Sequence, residues 1–163
     1  MITLKPMELT TENFTPFGRF YNLREKPACN IGHIKTYLTS QPPIAEPLHL
    51  GMTSVKGGNF VSKEMERHVL GEEILICGDT DMILTVANSD SEKVPLAQDV
   101  KCFYMHPGDL VVLNKGTWHD ANHGVTKDTL YYFFAQDTQG KPNRDRETQW
   151  VPISPEPVNV TVI

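Results

Sequence analysis

The feature that most restricts the fold of this 163-residue chain is its punctuation. Short apolar runs recur along it, each closed by turn-forming residues, while helical periodicity is sparse. Extended segments are expected at 19–23, 35–38, 48–55, 59–68, 73–77, 82–87, 100–105, 110–113 and 130–135. Between them stand Gly57-Gly58, Gly78-Asp79, Asn88-Ser89-Asp90, Pro107-Gly108 and Asn114-Lys115-Gly116. Pro107-Gly108 suits the centre of a type II turn, where proline fixes one φ and glycine accepts the positive one. One short helix is expected over 11–17, capped by Thr10 or Thr11 and ended by Gly18. Many strands and one helix leave an all-β sandwich or barrel as the economical architecture.

Composition adds exclusions. The chain is 39% hydrophobic and 21% charged, ordinary for a globular protein, and long enough for one domain with a sizeable core. A formal net charge of −5, with no block of Lys and Arg, argues against nucleic acid or an anionic membrane as partner. Cys29, Cys77 and Cys102 are scattered and odd in number, which points to reduced thiols and a cytoplasmic location. The opening residues carry no signal-peptide pattern, and no apolar run approaches bilayer-spanning length. Pro142, Pro152, Pro155 and Pro157 mark an extended tail, with a last strand expected over 158–163.

Two polar segments interrupt the apolar pattern: Glu66-Arg67-His68-Val69-Leu70-Gly71-Glu72-Glu73, and Lys115-Gly116-Thr117-Trp118-His119-Asp120. Strand side chains alternate faces, so an extended 59–68 puts Glu64, Glu66 and His68 together, with Met65 and Arg67 opposite. That face is a ligand cavity or a solvated outer surface. His119 follows a tight turn and belongs at a strand start, with His123 four residues on. Arg67 reads as a structural ion-pair partner and Trp118 as packing against the barrel wall. Asp120 and His123 read as orienting or loop residues, and Tyr131, Tyr132, Phe133 and Phe134 as core and strand-face residues.

These segments resemble the two motifs of the cupin superfamily. Glu66-x-His68-x4-Glu73 occupies the centre of G-x5-H-x-H-x3/4-E-x6-G, with Glu66 where the first His would stand. Gly108-x5-Asn114-x-Gly116-x2-His119-x3-His123 follows G-x5-P-x-G-x2-H-x3-N. Within that superfamily the chain is similar to the ureidoglycolate lyases. Met65-Glu66-Arg67-His68-Val69-Leu70-Gly71 resembles their E-R-H-P-x-G-T-Q segment and Lys115-Gly116-Thr117-Trp118-His119 their K/R-x-x-W-H segment. The opening from Leu4 to Gly18 resembles the family's L-x-L-x-x-E-x-F-x-x-Y-G. Departures fall at Val69, Glu72, Glu73 and Asp120–His123, all around the expected pocket.

The resemblance implies a single cupin-type β-barrel (a double-stranded β-helix) over 1–163. It divides into an N-terminal helix and strand at 1–23, the barrel at 24–137 and an extended tail at 138–163. It implies a homodimer whose lyase site lies in the barrel mouth and cleaves the carbinol C–N bond of ureidoglycolate to glyoxylate and urea. Glu66, His68, Glu73 and His119 fall at the four positions that ligate metal in metal-binding cupins. Their chemistry suits Zn, Mn, Fe or Ni, with no organic cofactor implied. Without an ion, one of the two carboxylates should take up a proton. His68 or His119 is the candidate base, Glu66 or Glu73 the candidate acid, and Lys115 the partner of the substrate carboxylate. Two other readings stay open: a metal-dependent isomerase or epimerase of a sugar acid, and a non-catalytic cupin binding a small ligand.

Overall fold

A computed structural model describes residues 1–25, 29–32, 34–39, 43–44, 48–88, 94–136 and 148–162. Its framework is two facing sheets. A five-stranded sheet runs Gly18–Asn22, Asp109–Leu113, Glu73–Cys77, Thr129–Gln136, Leu48–Val55. The other runs Thr148–Pro152, Glu64–His68, Trp118–His119, Met82–Ala87, Val100–Met105, Met7–Glu8, with His123–Gly124 also paired to Met82–Ala87. Between them lies the main core. Leu75, Cys77, Val111, Leu113 and Tyr131 from the first sheet meet Met82, Leu84, Val86, Phe103 and Met105 from the second. Burying each such large side chain contributes roughly 1.5–3 kcal/mol. The all-β architecture expected from the punctuation is observed, and it agrees with the cupin-type barrel that the resemblance implies.

Met82–Ala87 and Asp109–Leu113 are buried at every position, so they read as continuous apolar runs rather than alternating ones. Leu110 and Val112 pack in a cluster of their own with Ile74, Ile76 and Phe134; for Met82–Ala87 the reason is a third layer. Thr3–Leu4, Val158–Val160 and Phe60–Ser62 form a small sheet whose Val158 and Val160 cover the outer face of the larger sheet. The 59–68 segment is therefore not one strand. It divides at Lys63 into Phe60–Ser62, in the small sheet, and Glu64–His68, in the large one.

The helix spans Thr11–Phe14, shorter than 11–17. Thr10 and Asn13 form a reciprocal cap: Thr10 Oγ1 accepts from the Asn13 N–H at 3.2 Å, and Asn13 Oδ1 from the Thr10 N–H at 2.9 Å. Pro16 lacks the N–H needed to extend the helix. Gly18 does not cap it but begins a strand. A Cβ there would lie 2.0 Å from the Val112 carbonyl oxygen, so the close approach of the two backbones is what requires glycine. Phe14 and Phe17 plug the barrel interior against Phe103, with ring centroids 5.6–5.9 Å apart. The 107–108 turn forms as expected, with Gly108 at φ 95° and the Asp109 N–H on the His106 carbonyl at 2.8 Å.

Val158–Val160 is the last strand expected, and Thr148–Pro152 adds a strand inside the tail. Residues 138–147 of that tail lie outside the described residues. Cys77 and Cys102 are buried free thiols, and the Cys29 side chain is outside the description. Among the described residues, no helix is long and apolar enough to cross a membrane.

Candidate active site

Two strands of the larger sheet and one of the smaller converge where the apolar core ends. Glu66 and His68 lie two apart on Glu64–His68 and share its inward face. Met65, one step out of phase, is fully buried in the outer cluster with Trp118. His119 stands directly across from Glu66 in the antiparallel register. Glu73 begins Glu73–Cys77 on the facing sheet, in phase with the inward Leu75 and Cys77. The structure thus brings Glu66, His68, Glu73 and His119 together.

Glu73 Oε2 lies 2.8 Å from His119 Nε2 and 3.3 Å from His68 Nε2, while Glu66 Oε1 is 3.6 Å from His119 Nε2. The two imidazole centroids are 5.4 Å apart. His119 Nδ1 donates to the Thr117 carbonyl at 3.2 Å, which turns Nε2 toward the carboxylates. Thr117 is fixed in turn by its hydroxyl on the Phe17 carbonyl at 3.0 Å. The short Glu73–His119 contact is off the line of a good hydrogen bond, leaving both atoms buried without one among the described residues. Glu66, His68 and His119 each offer a ligand atom within 4.8 Å of the others, a grouping that could hold a metal ion.

Burial disfavours charge on Glu73, but His119 and His68 outweigh it and hold the carboxyl down to about 2. Burial likewise opposes the His119 imidazolium, and Glu73 with Glu66 overcomes it, raising that group to about 9. Glu66 is pushed up, mainly by burial, with His119 pulling back and Glu73 adding. The depressed Glu73 stabilises the fold above its unfolded value of 4.5, a contribution lost as pH falls toward 2. The raised His119 stabilises it below 6.5, a contribution lost as pH rises toward 9. Thermal melting of metal-stripped protein is therefore expected to be highest between pH 4.5 and 6.5, with an alkaline decline that His119→Gln flattens. An unchanged alkaline limb in that variant would refute the pairing.

Lys115 is exposed on a turn in which Gly116 takes φ 80°. The Gly116 N–H donates to the His68 carbonyl at 2.7 Å, tying that turn to the site. The Arg19 guanidinium, which donates to Glu72 at 2.8 Å, holds the Glu72 carboxyl below its usual range against its burial, with a smaller contribution from the Lys115 charge. Arg67 lies over the Trp118 ring, 4.4 Å from its centroid. Asp120 accepts from the Ser62 hydroxyl at 2.7 Å, and His123 stacks on Phe60 at 3.6 Å, so both fasten the outer layer.

Tyr131, read from sequence as core, faces inward in the main core, within electrostatic reach of Glu73 and Glu66. Its phase with Phe133 and its register opposite Cys77 are the signals that find it.

No curated protein matches the chain. The ureidoglycolate lyase family model matches residues 1–160, through every strand that builds the cluster. The chain therefore belongs to the ureidoglycolate lyase family, within the cupin superfamily.

Proposed function

We propose that Glu66, His68, Glu73 and His119 form the active site at which this lyase splits ureidoglycolate, and that they hold a divalent metal there. The observation that carries the proposal is the convergence of three ligand atoms on a buried Glu73–His119 contact that is short but not hydrogen-bonded. Two imidazoles and two carboxylates suit Zn, Mn, Fe or Ni. Such an ion would supply a Lewis acid for the oxygens of an α-hydroxy acid.

The chain's own residues account for the proton. Breaking the carbinol C–N bond moves one proton from the hydroxyl oxygen to the departing nitrogen. Glu73 is held ionised by its imidazoles and is a poor acid. Glu66 is pushed up toward neutrality and keeps 20% side-chain exposure, which suits a group that exchanges protons with substrate. In this reading the Glu66 carboxylate takes the hydroxyl proton as the glyoxylate carbonyl forms and returns it to the urea nitrogen. His68 and His119 serve as ligands rather than bases. Lys115, on the turn tied to His68, meets the substrate carboxylate.

Purified protein is expected to release glyoxylate and urea from ureidoglycolate, and elemental analysis to find about one divalent ion per chain. No turnover by metal-loaded protein would remove the lyase assignment of this site. Full turnover by metal-free protein would remove the metal but leave the lyase.

A further inference from the structure

Thr148–Pro152, the strand inside the tail, is the outermost strand of the larger sheet among the described residues and pairs antiparallel with Glu64–His68. Its register places Trp150 directly opposite Glu66 and Val151 opposite Met65. Directly opposed residues of such a pair point to the same face. The packing agrees: Val151 joins Met65 in the outer cluster, which leaves Trp150 on the inner face with Glu66. One row across that face therefore reads Trp150, Glu66, His119, Val86. Exposure falls along it, from 47% at Trp150 and 20% at the Glu66 side chain to 3% at His119 and 0% at Val86. The row runs from solvent into the core, and the cluster opens at its Trp150 end.

Trp118, on the next strand but one, gains the full burial that Trp150 forgoes. What a half-open indole offers is a flat apolar face beside the group that handles the proton. The face of an aromatic ring carries the negative side of its quadrupole, so it disfavours a carboxylate and accepts a neutral planar amide. Ureidoglycolate has one of each, a carboxylate and a planar, neutral ureido group. The proton transfer to the departing ureido nitrogen already places that half of the substrate at Glu66, the residue paired with Trp150.

We propose that Trp150 contacts the substrate, its indole face stacking on the ureido plane of ureidoglycolate while the carboxylate lies away from it. The proposal rests on the lyase reading of the Glu66, His68, Glu73 and His119 cluster. It makes the strand inside the tail a wall of the site, one that selects for the ureido half.

The test compares Trp150→Ala with Trp150→Phe, which keeps a smaller ring. Trp150→Ala is expected to raise KM for ureidoglycolate about fivefold with kcat within about twofold, and Trp150→Phe to raise KM about twofold. Inhibition by oxalurate, in which a carbonyl replaces the carbinol carbon, should weaken by the same factors. Inhibition by glyoxylate, which has no ureido group, should stay within about twofold. Fluorescence reads the contact in the unmodified protein, because the chain has two tryptophans and Trp118 is 1% exposed. Saturating oxalurate should shield Trp150 from quenching by acrylamide, and Trp150→Phe should remove that protection. Unchanged KM and oxalurate inhibition in Trp150→Ala would overturn the proposal, as would acrylamide quenching that oxalurate leaves unaltered. So would an equal loss of oxalurate and glyoxylate inhibition, which a displaced Glu66 would produce. Failure of the unmodified, metal-loaded protein to turn over ureidoglycolate would instead overturn the lyase reading, and this proposal with it.

Discussion

His119→Ala is expected to abolish measurable turnover of ureidoglycolate, a loss of about a thousandfold or more in kcat/KM. His119 is tied to four groups around it. Its Nε2 faces Glu73 at 2.8 Å and Glu66 at 3.6 Å, its Nδ1 is fixed on the Thr117 carbonyl, and its ring lies against His68. Removal leaves Glu73, 7% exposed, without the main charge that keeps it ionised. Glu66→Gln fills the same space without an exchangeable acid, and because Glu66 is also a proposed metal ligand, its metal content is measured alongside and kinetics are compared at equal loading. A kcat loss of about a hundredfold or more is expected for it with KM little changed. Glu66→Gln at near-parental kcat would assign the proton elsewhere; steady-state kinetics with both variants decides.

Trp118→Ala is expected to lower the unfolding free energy by about 3–5 kcal/mol. The indole is 1% exposed and packs with Met65, Ala87, Val100, Ile153 and Val158 in the layer behind His119, with Arg67 stacked on it. For a chain of this size, that corresponds to a fall in melting temperature on the order of 10 °C. Trp118→Phe should cost far less, since the indole N–H it deletes is buried without a hydrogen-bond partner among the described residues. Calorimetry on the pair of variants measures this; equal losses would mean that packing is not what the tryptophan supplies. Activity of Trp118→Ala below its melting range should also drop, because the adjacent His119 sits on that wall.

Much of this arrangement is legible before any coordinates. Leu48–Val55, Glu73–Cys77, Met82–Ala87 and Val100–Met105 follow from apolar runs and their bounding turns. The four cluster residues follow from strand phase and motif spacing. What escapes is set by tertiary partners. Trp118–His119, Thr3–Leu4 and Met7–Glu8 are two-residue strands, too short for any period, and exist because neighbouring strands offer hydrogen bonds. Lys63 carries no breaker signal, and the chain changes sheets there because the outer layer claims Phe60–Ser62. Tyr131 looks like any core aromatic, and only the fold brings it within electrostatic reach of Glu66 and Glu73.

The parallel pairing of Thr3 with Asn159 and Leu4 with Val160 ties one of the earliest strands to the last one described. During synthesis that small sheet cannot close until residues 158–160 have left the ribosome, more than 150 residues after Thr3 and Leu4. Its hydrophobic residues, and the face of Ile83, Cys102 and Val100 beneath them, stay uncovered until then. Such distant contacts slow folding and lengthen the time for which sticky surface is open to other chains. For this protein, production at lower temperature should matter more for soluble yield than the stability of the finished molecule would suggest.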